Sequence, residues 1–349
     1  MMKKNLSLDT IKRIYSIKSH KIYSLPIVIL MPHSRCNCRC VMCDIWKGNN
    51  NVKQLEESDI AKMLDSFRKL NTKEVVMSGG EALMHPNFFK LCEIIKSRRI
   101  KITLLSTGLL LKRYASDILA KADEVIVSLD GSREVHDRIR NIPNAFEKLK
   151  EGVQELKKLR PNFRVTARCV IQKENFKDFP NIIEAAKEIG LDQISFLTAD
   201  VTTNAFNRPD LWDDQRAGEV KLSREELPKF KEIIESLIST HSDDFKTKFI
   251  AESPDRIRRF YPYYSAYYNQ SNFPVVRCNA PWVSAVIEAD GSVRPCFFHE
   301  VIGDIRESTL EEIINSDNSI TFRKNLDVAT NPICEKCVCS LNLSPFAKL

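Results

Sequence analysis

Residues 34–44 read Ser34-Arg-Cys-Asn-Cys-Arg-Cys-Val-Met-Cys-Asp44. Cys36, Cys40 and Cys43 have Cys-x3-Cys-x2-Cys spacing, so three thiolates share one tight loop. Thiolates held this closely suit an iron–sulfur cluster or zinc. A structural zinc site needs a fourth ligand at short spacing, and the chain runs on into Asp44-Ile-Trp46 without one. Three ligands on a four-iron cluster leave one iron open to a substrate or cofactor, with a structural zinc knuckle as the alternative.

Working outward from this loop, apolar runs alternate with amphipathic helical stretches as far as residue 200. This alternation predicts βαβ units and a parallel sheet. The predicted strands are Ile27–Met31, Glu74–Met77, Lys101–Leu105, Glu124–Leu129, Arg164–Ile171 and Gln193–Leu197. The predicted helices are near 57–70, 87–98, 112–121, 144–159 and 178–189. Six strands are too few for a complete eight-stranded barrel, so an open barrel is predicted.

The three-cysteine loop resembles the signature of the radical S-adenosylmethionine (SAM) superfamily. In that family the open iron of a 4Fe–4S cluster chelates the amino and carboxylate groups of SAM. The resemblance implies an α/β fold, a partial (β/α)6 TIM-type barrel whose chemistry lies at the carboxyl ends of the strands. The cysteine loop follows the first predicted strand at that end. Cys36, Cys40 and Cys43 would therefore hold the SAM-binding 4Fe–4S cluster.

Polar motifs also follow the second and third predicted strands. Gly79, Gly80 and Glu81 come directly after the second strand, where the superfamily carries the same element. Glycines allow close approach to a ligand, and a carboxylate can accept hydrogen bonds from an ammonium group. By this resemblance the three residues contact the SAM amino group. Ser106 and Thr107 end the third strand in a motif close to the family's Ser-Thr-Asn-Gly and are assigned to SAM binding.

The fourth predicted strand ends in Ser128-Leu-Asp130-Gly and is followed by His136-Asp-Arg-Ile-Arg140. This block resembles the Ser-x-Asp-Gly…His-Asp-x-x-Arg pattern of family members that modify peptides and small molecules. The resemblance assigns Ser128 and Arg140 to the ribose and carboxylate of SAM, with Asp130 beside them. A guanidinium suits this role because its fork pairs bidentately with a carboxylate.

A second cysteine group lies near the C-terminal end of the chain. Residues 283–288 and 292–297 predict a hairpin around Ala-Asp-Gly, with helices near 308–315 and 319–326. The pattern Cys…Gly-x4-Cys…Cys-x2-Cys resembles the twitch domain, a short form of the SPASM domain that binds one auxiliary 4Fe–4S cluster. The implied ligands of that cluster are Cys278, Cys296, Cys334 and Cys337. Cys339 is an alternative ligand, and a zinc ribbon is the alternative site. Cys38, Cys92 and Cys169 are interpreted as thiols that bind no metal.

Composition narrows the class of protein. The 349 residues predict an N-terminal basic extension over 1–25, a barrel over 26–200, a bridging segment over 201–275 and an auxiliary-cluster domain over 276–349. Lys and Arg exceed Asp and Glu by 53 − 46 = 7, too mild an excess for a nucleic-acid partner. The sequence has no tract of about eighteen apolar residues, so no membrane span is predicted. Eleven cysteines without an export signal indicate metal ligation in a reducing cytoplasm.

The resemblance implies an oxidoreductase-type enzyme. It would cleave SAM reductively to a 5′-deoxyadenosyl radical and abstract hydrogen from a substrate C–H bond. The auxiliary cluster would accept an electron, giving a two-electron oxidation (dehydrogenation) of a small molecule such as a sugar, aminocyclitol or nucleotide. The alternative substrate is a peptide or protein side chain, and a zinc-stabilised binding module is the non-catalytic alternative. A reducing partner such as flavodoxin or ferredoxin is implied. Thr166, Arg168 and His299 are candidate bases, and none is assigned.

Overall fold

Six parallel strands form the first part of the fold in a computed structural model that describes residues 7–205, 208 and 210–348. The first six residues of the predicted basic extension, and residues 206, 207, 209 and 349, lie outside this description. The strands are β1 (Ile27–Leu30), β2 (Glu74–Met77), β3 (Lys101–Ser106), β4 (Glu124–Ser128), β5 (Arg164–Ile171) and β6 (Gln193–Thr198). Each pairs in parallel with the next, which confirms the predicted open barrel.

Helix α1 (Leu8–Ser19) precedes β1, and further helices connect the strands and cover the outer face of the sheet. The connecting helices are α2 (Glu57–Lys69), α3 (Phe88–Lys96), α4 (Ala115–Lys121), α5 (Arg133–Arg140), α6 (Ala145–Leu159) and α7 (Phe179–Ile189). The predicted helices match within a few residues at their ends. Helix α5 was not predicted, because its residues were interpreted as a binding motif alone.

The two faces of the sheet follow from the period of two along each strand. Val28 and Leu30 of β1 are fully buried and pack against the outer helices. Ile27 and Ile29 point the other way, into the barrel. The same alternation along β2 to β6 places the hydrophobic core between the outer face of the sheet and the helices, while the inner face lines the inside of the barrel.

The C-terminal part of the chain continues the same sheet. It contains α13 (Ala280–Val283), β7 (Ser284–Ile287), β8 (Ser292–Arg294), β9 (Gly303–Asp304), α14 (Leu310–Ile314), α15 (Asp317–Asn325) and α16 (Pro332–Glu335). Strands β7 and β8 form the predicted hairpin, and β9 pairs antiparallel with β8. Strand β7 also pairs in parallel with β1, so one nine-stranded sheet crosses the domain limit predicted at residue 276.

The bridging segment is mainly helical. It contains α8 (Asp214–Val220), α9 (Leu227–Thr240), α10 (Ser242–Lys246), α11 (Pro254–Arg258) and α12 (Phe260–Ala266). The Tyr263 hydroxyl donates to the Ala199 carbonyl at 3.1 Å, which ties α12 to the end of β6. Within the described ranges, no helix combines the length and the apolar character needed to cross a membrane.

Candidate functional site

The three-cysteine loop follows β1 and is held by the C-terminal end of α5. The backbone amides of Arg39 and Val41 each donate to a carbonyl of α5, at Arg140 and Ile139, over 3.1 Å. The Cys43 amide donates back to the Cys40 carbonyl at 3.2 Å, which closes a turn inside the loop. The structure therefore fixes the backbone that carries the three predicted ligands.

The environment of these thiols suits a metal cluster. The pKa of the Cys40 thiol is lowered to about 6 by a hydrogen bond from Cys38, with the Arg140 guanidinium contributing. Burial raises the pKa of Cys43 to about 12, so this thiol stays protonated while no metal is bound. Binding of a metal ion would displace the proton and give the thiolate. Cys38 hydrogen-bonds to Cys36 and Cys40, and these bonds raise its pKa. Cys38 therefore keeps its proton, consistent with a thiol that binds no metal.

The glycine pair after β2 packs directly against the cysteine loop. Gly79 has φ +110°, which L-residues with a side chain rarely adopt. A Cβ atom on Gly80 would lie 2.2 Å from the Arg35 carbonyl oxygen and 3.1 Å from the Cys36 Cβ. Glycine is therefore required at these positions for the turn after β2 to approach the cysteine loop. Both glycines line a cleft at the carboxyl ends of β1 and β2.

Glu81 joins the ends of β2 and β3. Its fully buried carboxylate accepts hydrogen bonds from the Thr107 amide at 2.7 Å, the Thr107 hydroxyl at 2.6 Å and the Ser106 hydroxyl at 3.0 Å. Burial raises the pKa of this carboxyl group. The structure thus brings three predicted site residues together, with Glu81 engaged by the protein. Their contact with SAM stays a prediction.

At the end of β4 the predicted residues divide into two groups. Ser128 lies on the strand face that lines the barrel, opposite Arg168 of β5 in the strand register. Asp130 and Arg140 instead form a buried ion pair, with side-chain exposures of 0% and 8%. A nitrogen of the same guanidinium lies 3.4 Å from the Cys40 Sγ. Arg140 therefore contacts a predicted cluster ligand, and its proposed bond to SAM stays a prediction.

Three side chains from the segment after β6 pack over the outside of the cysteine loop, which the sequence analysis did not predict: Arg208, Trp212 and Arg216. Arg208 forms a buried ion pair with Asp200 at 2.7 Å, and its guanidinium lies 3.8 Å from the centre of the Trp212 ring. The Trp212 Nε1 donates to the Asp44 carboxylate at 2.9 Å, and Arg216 donates to the Val41 carbonyl. The Asp-x-Trp-containing stretch gave no recognisable signal, because its partners are more than 150 positions away along the chain.

The second cysteine group forms on elements far apart in sequence. Cys278 precedes α13, Cys296 follows β8, Cys334 lies in α16, and Cys337 and Cys339 follow that helix. All five cysteines line one cavity. Burial, with repulsion from neighbouring thiolates, raises the pKa of Cys296 to about 11 and of Cys334 to about 12. Several thiols that line one cavity can supply the soft sulfur ligands of a metal, so this set suits an iron–sulfur cluster or zinc.

His299 is tied to the second cysteine group. Its Nε2 lies 3.3 Å from the Cys334 Sγ, and its ring stacks edge-on against Phe322. Burial lowers the pKa of His299, so the ring is neutral and one nitrogen can donate to a sulfur. As a free base for a substrate, His299 is therefore poorly placed.

The inside of the barrel is a cavity, here called the lumen, with a volume of about 270 Å³. Its walls are mainly apolar side chains of the inner strand faces, with the second cysteine group at one side. Phe297 lines both the lumen and the cleft beside Gly79 and Gly80. The predicted SAM side and the second cysteine group thus open onto neighbouring spaces with one phenylalanine between them.

Comparison with known proteins agrees with this arrangement. A family model described as the radical SAM superfamily matches residues 30–186, and one described as an iron–sulfur cluster-binding domain (SPASM) matches residues 278–338. The chain is 25% identical to an Fe-coproporphyrin III synthase of Methanosarcina barkeri, over 89% of this chain and 79% of that protein. It is 24% identical to an AdoMet-dependent heme synthase of the same organism, over 84% and 82%.

Solved structures share the fold. Streptococcus suis SuiB bound to its precursor peptide SuiA superposes with a TM-score of 0.63 at 14% identity, over 98% of this chain and 80% of SuiB. Native anSMEcpe with bound AdoMet superposes with a TM-score of 0.64 at 20% identity, over 89% and 86%. At these identities the likeness concerns the fold alone.

Proposed function

This chain belongs to the radical SAM superfamily, and we propose that it oxidises a small organic molecule by two electrons. It is an enzyme whose radical SAM domain binds a 4Fe–4S cluster and SAM, and whose SPASM domain implies a further iron–sulfur cluster. When bound, these groups supply a 5′-deoxyadenosyl radical that takes a hydrogen atom and a second centre that can accept an electron. The remaining product of the oxidation is a proton, which passes to a base or to solvent.

One observation carries this proposal: the lumen that the second cysteine group faces. A substrate there would touch both the Phe297 side, toward Gly79 and Gly80, and the second cysteine group. Walls of Ile, Val and Leu exclude water and hold an apolar body in a fixed orientation. This lining favours a substrate with an apolar body over a sugar or an aminocyclitol.

The protein's own residues have supporting roles in this proposal. Cys36, Cys40 and Cys43 hold the first cluster, and Arg140 orients Cys40 from a buried position. Cys278, Cys296, Cys334 and Cys337, with Cys339 as the alternative, hold the second cluster. The two relatives aligned over most of the chain are named for the synthesis of small molecules, which supports a small substrate over a peptide.

The test begins with anaerobic reconstitution and counting of iron. We expect about eight irons per chain, as two four-iron clusters require, and formation of 5′-deoxyadenosine with dithionite and SAM. Changing Cys36, Cys40 and Cys43 together to Ala should abolish that formation. A protein that binds zinc and no iron would contradict the assignment as a radical SAM enzyme. About four irons per chain together with SAM cleavage would show that the second cysteine group holds no iron–sulfur cluster.

Substrate class is tested in the same assay. Formation of 5′-deoxyadenosine is measured with coproporphyrin III, with GTP and with a mixture of unstructured peptides. We expect stimulation by a small molecule. Stimulation by peptides alone would establish the alternative, modification of a peptide or protein side chain.

A further inference from the structure

Arg168 is a charged side chain on the inner face of the barrel. It lies in the middle of β5, opposite Ser128 of β4 and Ser195 of β6 in the strand register. Its Nε is buried and has no hydrogen-bond partner among the described residues. A buried polar atom without a partner is costly, so such an atom needs an explanation. Arg168 cannot serve as the base considered above, because a guanidinium does not give up its proton in proteins.

The position of Arg168 connects two cavities. On one side it lines the lumen, with its apolar walls and second cysteine group. On the other side it lines a cleft of about 240 Å³, to which α11 and the residue after it contribute Arg256 and Arg259. We call this space the arginine cleft and define it by Arg168, Arg256 and Arg259. Cys337 and Cys339 border both cavities, so the arginine cleft opens beside the second cysteine group.

The charges of the arginine cleft do not cancel. Three guanidinium groups line it, against the two carboxylates of Glu252 and Glu335. Glu252 accepts a hydrogen bond from the Phe196 amide at 2.9 Å, and burial raises its pKa even though Arg256 and Arg168 lie near it. Arg259 donates to the neutral Val275 carbonyl, and among the described residues no carboxylate forms an ion pair with it. The cleft therefore carries a net positive charge, and the Arg168 Nε–H is a donor without a partner in the described part of the chain.

We propose that the arginine cleft binds an anionic group, a carboxylate or a phosphate, of a substrate whose apolar body lies in the lumen. Planar forked donors recognise both groups bidentately. Anchoring at this end would hold the substrate body between the second cysteine group and the Phe297 side of the lumen. This inference rests on the proposed function, and it adds that the small substrate is an organic anion.

Another explanation is that Arg168 balances the negative charge of a cluster at the second cysteine group. That reading accounts for one arginine near the cysteines. It does not account for Arg256 and Arg259, which are exposed on a separate helical segment and face the same cleft. The experiment below separates the two explanations, because only anion binding depends on Arg256 as well as on Arg168.

The test measures binding by anaerobic equilibrium dialysis with the reconstituted protein. Coproporphyrin III probes carboxylates, and its tetramethyl ester is the uncharged match. GTP probes phosphates, and guanosine is the uncharged match. We expect one of the two anions to bind at least about tenfold more tightly than its uncharged match, with an affinity that falls as salt is raised. The anion that does so identifies the group.

Variants then locate the binding. Arg168→Gln should lower the affinity for the anion about tenfold or more, and Arg256→Gln should lower it severalfold. Arg168→Lys keeps the charge, so its affinity should lie between those of wild type and Arg168→Gln. Arg256 is exposed, so its variant tests the cleft even if Arg168→Gln folds poorly. Arg258→Gln is the matched control on the same helix, because Arg258 pairs with Glu235 and does not line the cleft. Its affinity should stay within about twofold of wild type.

Three results would overturn the proposal. The first is that neither anion binds more tightly than its uncharged match. The second is that Arg256→Gln binds the anion as tightly as Arg258→Gln does. The third is that Arg168→Gln shifts the reduction potential of the second cluster and leaves anion binding unchanged. Formation of 5′-deoxyadenosine is measured on the same samples. SAM cleavage without anion binding would reject the arginine cleft and leave the proposed function intact, whereas anion binding without SAM cleavage would do the reverse.

Discussion

At the scale of single residues, one buried guanidinium organises the approach to the first cysteine loop. Arg140 pairs with Asp130, and Asp130 in turn accepts a hydrogen bond from the Val170 amide at 2.8 Å. The pair thus joins the ends of β4 and β5 to Cys40. A buried ion pair of this kind fixes a unique arrangement more than it adds stability, and it becomes a liability if one partner is removed.

Removing Asp130 tests this. Asp130→Asn removes the carboxylate that balances the buried Arg140 charge, so we expect the free energy of unfolding to fall by about 3–5 kcal/mol. Urea denaturation of the metal-free protein measures it. Asp65→Asn is the control, since Asp65 pairs with Arg68 and Lys69 at the exposed surface and its loss should leave the midpoint unchanged. Equal midpoints for the two variants would show that the buried pair has no structural role.

His299 gives a second prediction at this scale. Hydrogen bonds to cluster sulfurs raise the reduction potential, and the His299 ring lies within such a bond of Cys334. His299→Ala should therefore lower the potential of the second cluster while the iron content stays the same. Anaerobic redox titration followed by EPR measures the shift. His241→Ala, which removes a ring paired with Asp244, is the control. Loss of iron from His299→Ala would mean instead that the ring is a ligand.

At the scale of elements, the local patterns were sufficient for the barrel strands. β2 and β5 have the predicted bounds, because their apolar runs are bordered by turn residues on both sides. The same patterns placed Glu81, Ser106 and Thr107 at neighbouring strand ends, where the structure joins them. They could not show that the Glu81 carboxylate is fully engaged by the protein, since that depends on side-chain positions across two neighbouring strands.

The turn after β2 can be tested with a single methyl group. Gly80→Ala would place a Cβ 2.2 Å from the Arg35 carbonyl, so the cysteine loop must move away. We expect the variant to lose the first cluster, keep about four irons and form no 5′-deoxyadenosine. Gly218→Ala is the matched control, because no atom lies within 4 Å of its added Cβ and its backbone is helical. Full iron content in Gly80→Ala would show that the loop tolerates the shift.

At the scale of the whole molecule, the decisive contact is the pairing of β7 with β1. The sequence predicted the hairpin of β7 and β8 but gave no sign of its neighbour, because parallel pairing between distant segments leaves no local pattern. For the same reason the arginines of the α11 region could not be placed beside Arg168. The features that depend on contacts between distant segments could therefore not be predicted. The strands and helices that depend on local periodicity could be predicted.

Truncation tests the role of this pairing. A chain ending at residue 275 lacks β7 and exposes the edge of β1, with its apolar Ile27 and Ile29. An unpaired apolar edge associates with other chains, so we expect the truncated protein to aggregate. Cys296→Ala keeps β7 and should stay monodisperse by size-exclusion chromatography with about half of the iron. A monodisperse truncated chain that retains the first cluster would show that the barrel stands without β7.

The β1–β7 pairing also has a consequence for how the chain is made. β1 ends at residue 30 and β7 begins at residue 284, so 283 − 30 = 253 residues leave the ribosome between the two. At ordinary rates of translation this interval is roughly 13–50 s. During this interval the edge of β1 that pairs with β7 has no partner strand. The cysteine loop that follows β1 is then exposed without β7 beside that strand. We therefore expect nascent chains to depend on a chaperone at this edge, and iron delivery to follow release from the ribosome.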